Sequence, residues 1–462
     1  MSDYIQKIRS LNEVFLANNG RYPSMFIQTF GCQMNDRESE KLYGQLLAMG
    51  YSESPSEKEA DLVLYNTCCV RGKAEERVFG RLGSLKSAKR KNPNKLIVMC
   101  GCMPQREEVI TEVKRSHKHI DVVFGTFNKH HFPKLLLERF NTGKQVIEIL
   151  QEHSETSAEE FDGQVSRFSP HKAGVTVMHG CDNYCSYCIV PYVRGREKSR
   201  PIEEVVTEIE ALAADGVKEV MLLGQNVNSY AYGFPELLAK VNQVSGIKRI
   251  RFVTSHPKDL SASLVTAMRD YDKVCKHMHL PIQSGSTSIL NAMNRGYTQK
   301  EYLKLTEYLR KAIPEIAITT DIIVGFPGET DSDFEDTLEV VRQAMFCGAY
   351  TFLYSPREGT PAAKLTDLVP DKLIHERFNR LVDLVNSQQL AYNKSLIGKT
   401  VEVMVDGETE GEAGKYTGRG DDNTLVHFDI KSKPNPGDII KVEVSSCKTF
   451  YVSGQAKAGV KQ

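Results

Sequence analysis

The chain has 462 residues, with 59 basic and 59 acidic side chains, 40% hydrophobic and 26% charged residues and no formal net charge. That length exceeds one ordinary core and predicts several domains, and the composition excludes a disordered or fibrous chain. Zero net charge also excludes a globally basic nucleic-acid binder, so any such partner must meet local patches. No run of about 18 apolar residues occurs, and no membrane span is expected. The opening MSDYIQKIRSLNEVF lacks the apolar core of a signal peptide, so a cytoplasmic location is expected. The eleven cysteines should then be reduced, and clustered ones read as metal ligands before disulfides.

Residues 1–21 form an N-terminal extension with a helical pattern and no assignable role. Residues 22–145 read as a βα repeat. Its strands are MFIQTF, ADLVLYNT, KLIVMC and IDVVFG, with helices in ESEKLYGQLLAMG and from about Lys73 to Arg90. Such alternation predicts a parallel sheet. Residues 146–166 turn acidic and polar and read as a linker. Residues 167–396 carry a second βα series, with strands in AGVTVMHG, EVMLLG, IRFVTS, HMHLPI, AITTDIIVG and YTFLYS. Six βα units predict a partial (β/α)6 TIM-like barrel with its active site at the carboxyl ends of the strands. Residues 397–460 are short strands joined by Gly/Asp turns, the texture of a small all-β, OB-like barrel. The fold class is therefore α/β, with a small all-β module at the end.

Cys181, Cys185 and Cys188 make a C-x-x-x-C-x-x-C series just after the first strand of the second repeat. A structural zinc site wants four ligands, and no second pair follows at finger spacing. Three thiolates suit a 4Fe–4S cluster that keeps one iron open. This spacing at this location resembles the signature of the radical S-adenosylmethionine (SAM) superfamily. The resemblance implies SAM bound at the open iron. Rim residues of the next strands are then the candidate SAM contacts: Gln225, Asn226, Thr254, Ser255, Gln283 with its neighbour Ser284, and Gly325 with Gly328.

Three further cysteines, Cys32, Cys68 and Cys102, each follow a strand of the first repeat. Carboxyl ends of parallel strands are where open α/β sheets bind ligands, so this layout reads as a second metal site. Cys68 and Cys69 point to opposite faces if the strand continues through them. Cys102 is preferred over Cys100 because it lies past the strand after Gly101, as Cys32 follows Gly31. Cys69, Cys100, Cys275, Cys347 and Cys447 read as structural.

Taken together, GCQMND, NTCCVR, CGCMPQ, the C-x-x-x-C-x-x-C motif and the terminal β module resemble the methylthiotransferase family of radical SAM enzymes. The resemblance runs over nearly the whole chain from about Tyr22. It implies two 4Fe–4S clusters, one on Cys181, Cys185 and Cys188 and one on Cys32, Cys68 and Cys102. It further implies that SAM is both methyl donor and radical source, and that the β module is a TRAM domain. YCIVPYVRGREKSRP, LLGQNVNSY, TSHP and HLPIQSGS look like the branch acting on tRNA. That branch places a methylthio group on C2 of N6-isopentenyladenosine beside the anticodon, after hydrogen abstraction by a 5′-deoxyadenosyl radical. Sibling branches acting on threonylcarbamoyladenosine or a ribosomal-protein aspartate are the runners-up, and a non-enzymatic iron–sulfur RNA-binding protein is the alternative of another class. Implied partners are tRNA, a flavodoxin-type reductant and a sulfur donor. No residue beyond the cluster ligands is nominated as catalytic. Candidate RNA contacts are Lys415 and Arg419, with KSAKRKNPNK and RGREKSR as further basic patches and Tyr192, Tyr416 and Phe428 as stacking aromatics.

Overall fold

A computed structural model of the chain describes residues 2–69, 72–151 and 166–457. Most of the expected linker lies outside the described residues, as do Val70 and Arg71 of NTCCVR. The chain divides into two compact units. The first holds residues 1–168 together with Gly180–Asp182 and Cys188–Glu197; the second holds the remainder, including the C-terminal module.

The first unit is built on six parallel strands: β1 (Ser24–Thr29), β2 (Ser52–Glu53), β3 (Leu62–Thr67), β4 (Leu96–Gly101), β5 (Val122–Phe124) and β6 (Val146–Glu148), in spatial order β2-β1-β3-β4-β5-β6. Strands β3 and β4 are buried along their whole length, which is why they read as unbroken apolar runs. Alternate residues feed two cores. Leu62, Leu64 and Val98 enter one, and Val63, Tyr65, Ile97 and Met99 the other. Helices α1 (Ser2–Asn19), α2 (Gln33–Ala48), α3 (Gly72–Lys91), α4 (Glu107–Ser116), α5 (Phe132–Thr142) and α6 (Val190–Arg194) accompany this unit.

One expectation is corrected here, and the helical extension gains a place in the fold. Val146–Glu148 was expected in the linker but pairs in parallel with β5 as the sheet's edge strand. The N-terminal extension is part of the core: α1 buries Ile8 against Leu42 and Leu46, and Asn12 donates to the Met49 carbonyl at 2.8 Å.

The second unit carries β7 (Lys172–Thr176), β8 (Met178–His179), β9 (Lys198–Ser199), β10 (Glu219–Leu223), β11 (Arg249–Phe252), β12 (His277–His279), β13 (Ala317–Val324) and β14 (Gly348–Leu353). Strands β7, β10 and β11 form one parallel set and β12, β13 and β14 another. A parallel bridge from Ile250 to Val274 lies between the sets. This is the expected partial (β/α)6 barrel. A closed barrel follows, β15 (Thr400–Glu408), β16 (Lys415–Gly420), β17 (Leu425–Asp429), β18 (Ile439–Cys447) and β19 (Val452–Ala456), in order β15-β16-β17-β19-β18.

The small barrel is fastened to the amino-terminal ends of the larger barrel's strands. Arg249 donates to the carbonyls of Arg419 (2.7 Å) and Glu402 (2.8 Å). Arg251 donates to the Gly420 and Asp421 carbonyls and pairs with Glu219 at 2.9 Å. At the start of β7, Lys172 pairs with Asp406. Burial pushes the Glu219 carboxyl up, but Arg251 and Lys172 outweigh it and hold the group below its ordinary value. Arg251→Ala would leave the buried Glu219 with only the longer pair to Lys172 at 3.6 Å, and removing one partner of a buried pair costs up to about 3–5 kcal/mol. We expect a lower urea midpoint for this variant at pH 7. Because Glu219's folded pKa is depressed, its contribution is full above the unfolded value of about 4.3 and is lost as pH falls through the lower folded value. The gap between parent and variant should therefore close in acid, as followed by circular dichroism.

Candidate functional site

Three cysteines separated by dozens of residues are held at one end of the first unit's sheet by backbone bonds between neighbouring strand ends. The Phe30 amide donates to Asn66 at 2.8 Å, and the Cys102 amide to Thr67 at 2.9 Å. The Asn35 side-chain amide, one turn into α2, donates to the carbonyls of Phe30 (2.8 Å) and Thr67 (3.0 Å). Two glycines permit the approach. Gly31 sits at φ +114°, and a Cβ there would fall 2.7 Å from the Cys68 sulfur. Gly101 sits at φ +98°, with the Thr67 carbonyl 2.4 Å from where its Cβ would be. Only glycine fits positions that combine left-handed φ with such contact. Cys32 is the N-cap residue of α2, at the end of the helix whose dipole favours a thiolate, and its side chain makes no cap hydrogen bond.

A buried charge network lies beside these thiols. Arg194, 5% exposed, donates to Glu38 at 2.9 Å and to Asn35 at 2.7 Å, and Lys129 also pairs with Glu38. Burial pushes the Glu38 carboxyl up, yet Arg194 and Lys129 together hold it well below the usual range. The Cys102 thiol is lowered, first by its hydrogen bond with Cys69 and against the cost of burial, with Arg194 also favouring the thiolate. Cys32 is exposed as a residue, yet its protein surroundings still disfavour the thiolate, and Arg194 opposes them. Among the described residues, no three His, Cys, Asp or Glu side chains are gathered for a single metal ion. An iron–sulfur cubane is several atoms wide and spreads its thiolates further apart than one ion does. The donor set of three thiols beside a buried guanidinium fits such a cluster.

The C-x-x-x-C-x-x-C segment contributes to both units. In the first, the Cys181 amide donates to Gly195 at 3.2 Å, while Ile189 and Val193, following Cys188, pack into the core with Cys102 and Met103. In the second, residues 183–187 are stitched to Ala292–Arg295. The Ser186 amide donates to Met293 at 2.9 Å, Asn294 donates to the Tyr184 carbonyl at 3.1 Å, and Arg295 donates to the Cys185 sulfur at 3.4 Å.

The candidate SAM contacts all lie at carboxyl strand ends of the second unit, in different states. The Gln225 Oε1 and Ser255 Oγ atoms are buried without a hydrogen-bond partner among the described residues. Thr254 is exposed at φ +67°, a strained setting for a β-branched residue. Gln283 sits at φ +73° and bridges to Ile322. Asn226 spends its amide within the protein, donating to Asp259 at 2.7 Å and accepting from the His256 amide at 3.1 Å. The Gly325 amide donates to the Glu329 carboxylate at 3.2 Å.

Comparison with known proteins decides the family. The chain is 52% identical over 413 residues to the tRNA-2-methylthio-N(6)-dimethylallyladenosine synthase of Caldicellulosiruptor saccharolyticus, covering 88% of this chain and 87% of that protein. It is 46% identical to the synthase of the same name from Acetivibrio thermocellus, over 98% of this chain and 94% of the relative. The chain belongs to the tRNA-2-methylthio-N(6)-dimethylallyladenosine synthase family. Family profiles match in three places: the radical SAM superfamily over residues 175–341, the uncharacterized protein family UPF0004 over 24–125, and the TRAM domain over 394–457. A solved radical SAM methyltransferase from Kitasatospora setae, with cobalamin and a 4Fe–4S cluster bound, shares the fold at a TM-score of 0.53 and 13% identity, covering 74% of this chain and 77% of that one. As a radical SAM enzyme, the family member uses SAM and a 4Fe–4S cluster.

The basic patches divide once placed. Arg194 of RGREKSR is buried in the Glu38 network and is not a surface contact. Lys95 of KSAKRKNPNK is 2% exposed and donates to the Ala60 carbonyl, while Lys89 pairs with Asp121 at 2.6 Å. Lys415 pairs with Glu412 at 2.5 Å, and Arg419 donates to the Asn423 carbonyl at 3.0 Å; both stay partly exposed on the TRAM barrel. Tyr416 and Phe428 fill the TRAM core and cannot stack on bases, whereas Tyr192 is exposed. Arg295 and the neighbouring Tyr297 and His256 escaped the sequence reading, because isolated polar residues carry no periodic signal. Arg194→Ala should raise the apparent thiol pKa of Cys32 in iron-free protein, read as an alkaline shift in the pH profile of its alkylation by mass spectrometry. An unmoved profile would separate Arg194 from the thiol site.

Proposed function

We propose that the chain converts the C2–H of N6-isopentenyladenosine, next to the tRNA anticodon, to C2–SCH3. What supports this beyond a generic radical SAM reaction is that Cys32, Cys68 and Cys102 follow neighbouring strand ends of the first unit, with Arg194 buried beside Cys32 and Cys102. Cys181, Cys185 and Cys188 would hold the radical SAM cluster, and Cys32, Cys68 and Cys102 a second 4Fe–4S cluster. Bound there, the clusters and SAM would supply radical hydrogen abstraction and the methylthio unit. The chain's own work is to bind, orient and shield. Gly31 and Gly101 bring the strand ends together, and Arg194 offsets the negative charge of the thiolates. Gln225, Thr254, Ser255, Gln283 and Gly325 line the strand ends where SAM would lie. Unpartnered Gln225 Oε1 and Ser255 Oγ support that placement, since buried polar atoms ordinarily find partners. The internally satisfied Asn226 is better read as holding the Asp259–His256 loop. Lys415 and Arg419 are proposed RNA contacts on the TRAM barrel. A flavodoxin-type protein would supply electrons and a separate donor the sulfur, in the cytoplasm. No helix of the described residues is long and apolar enough to cross a membrane.

Anaerobic reconstitution should load about eight irons per chain, two clusters of four. With tRNA bearing the isopentenyl group, SAM, reductant and sulfide, Cys185→Ala should abolish 5′-deoxyadenosine formation. Cys68→Ala should retain it while losing about half of the iron and all methylthio product, measured by nucleoside mass spectrometry. Cys69→Ala should keep both product and iron. Full product from Cys68→Ala would reject the two-site division, and loss of iron from Cys69→Ala but not Cys68→Ala would move the ligand by one residue.

A further inference from the structure

Arg295 is 5% exposed, and no carboxylate among the described residues pairs with it. Each of its three nitrogens nonetheless has a partner. It donates to the Tyr297 hydroxyl at 3.0 Å, to the Pro281 carbonyl at 2.8 Å and to the Cys185 sulfur at 3.4 Å. The Tyr297 hydroxyl in turn donates to the Ile282 carbonyl at 2.8 Å, so the fork is anchored on the loop that follows β12. A buried cation is costly unless an anion faces it. Carbonyl and hydroxyl oxygens accept from two of its nitrogens and the Tyr297 ring lies 5.4 Å away, but none of these brings a full negative charge. The remaining partner is Cys185, which is anionic only as a thiolate. The arrangement is therefore poised for the state in which Cys185 is a cluster ligand.

We propose that Arg295 is a positioning residue that presents a fixed hydrogen bond and a positive charge to the Cys185 thiolate, seating that ligand and raising the reduction potential of the radical SAM cluster. One-electron reduction makes a cluster more negative. A fixed cation and a hydrogen bond to a ligating sulfur favour the reduced form and move the potential upward. The burial of Arg295 withholds the water that would otherwise screen it. The guanidinium itself is neither oxidised nor reduced. Lysine carries the charge but lacks the fork that reaches Tyr297, Pro281 and Cys185 together. This inference rests on the reading of Cys185 as a cluster ligand.

The test uses the full chain with Cys32, Cys68 and Cys102 all changed to Ala, so that a single cluster of about four irons is observed after anaerobic reconstitution. In that background Arg295→Gln should retain its iron and titrate, by electron paramagnetic resonance, at a more negative midpoint potential than its parent. Arg295→Lys should recover part of the shift. An Arg295→Gln protein with full iron and an unshifted midpoint overturns the proposal. If Arg295→Gln loses iron, restoration of iron by Arg295→Lys supports the charge role. Loss of iron from both variants, together with a lowered unfolding temperature, makes the residue merely structural and overturns it. Cys185→Ala in the same background checks the underlying assignment. Iron retained there rejects Cys185 as a ligand, whereas iron lost there, with an unshifted Arg295→Gln midpoint, rejects this inference alone.

Discussion

A thiolate site assembled from distant parts of a chain needs those parts to finish at the same edge, and a parallel sheet supplies that condition. In the first unit each strand climbs in the same direction, so Cys32, Cys68 and Cys102 arrive at one end without any local cysteine motif. The remaining requirement is closeness. Backbone bonds from Phe30 to Asn66 and from Cys102 to Thr67 extend the ladder past the strands, and the glycines before Cys32 and Cys102 remove the Cβ atoms that would hold the loops apart.

Charge is handled by the same logic at both cysteine sites. Each has a guanidinium that is almost wholly buried, Arg194 in the first unit and Arg295 in the second. Arg194 is partly neutralised by Glu38, itself shared with Lys129, so the local sum stays positive. Arg295 has neutral oxygen acceptors and a cysteine sulfur. Such groups are poor stabilisers on their own account and are sensible only next to a concentrated negative charge.

Much of this was legible in the sequence, because buried parallel strands are short, mainly apolar runs rich in β-branched residues. ADLVLYNT, KLIVMC and AITTDIIVG each became a strand within a residue or two of expectation. The start of α2 was misplaced for a physical reason. The helix begins at Gln33, but Asn35, Arg37, Glu38, Ser39 and Glu40 are all buried, so its first turns face inward with polar residues and show no apolar stripe. Val146–Glu148 was missed because a three-residue edge strand is too short to show a period. The choice between Cys68 and Cys69 turned on side-chain direction, and the structure places Cys69 against Cys102 even while Cys68 faces Gly31. Arg194 looked like one member of a solvated basic run, since a sequence does not display burial.

The attachment of the TRAM barrel has a consequence for recognition. Arg249, Arg251 and Lys172 fix it to the amino-terminal ends of the larger barrel's strands, while Cys185 and the strand-end polar residues belong to the opposite, carboxyl-terminal ends. The TRAM barrel and the polar residues at the carboxyl ends therefore lie a full strand length apart, so a substrate that touched both would have to span the height of the larger barrel.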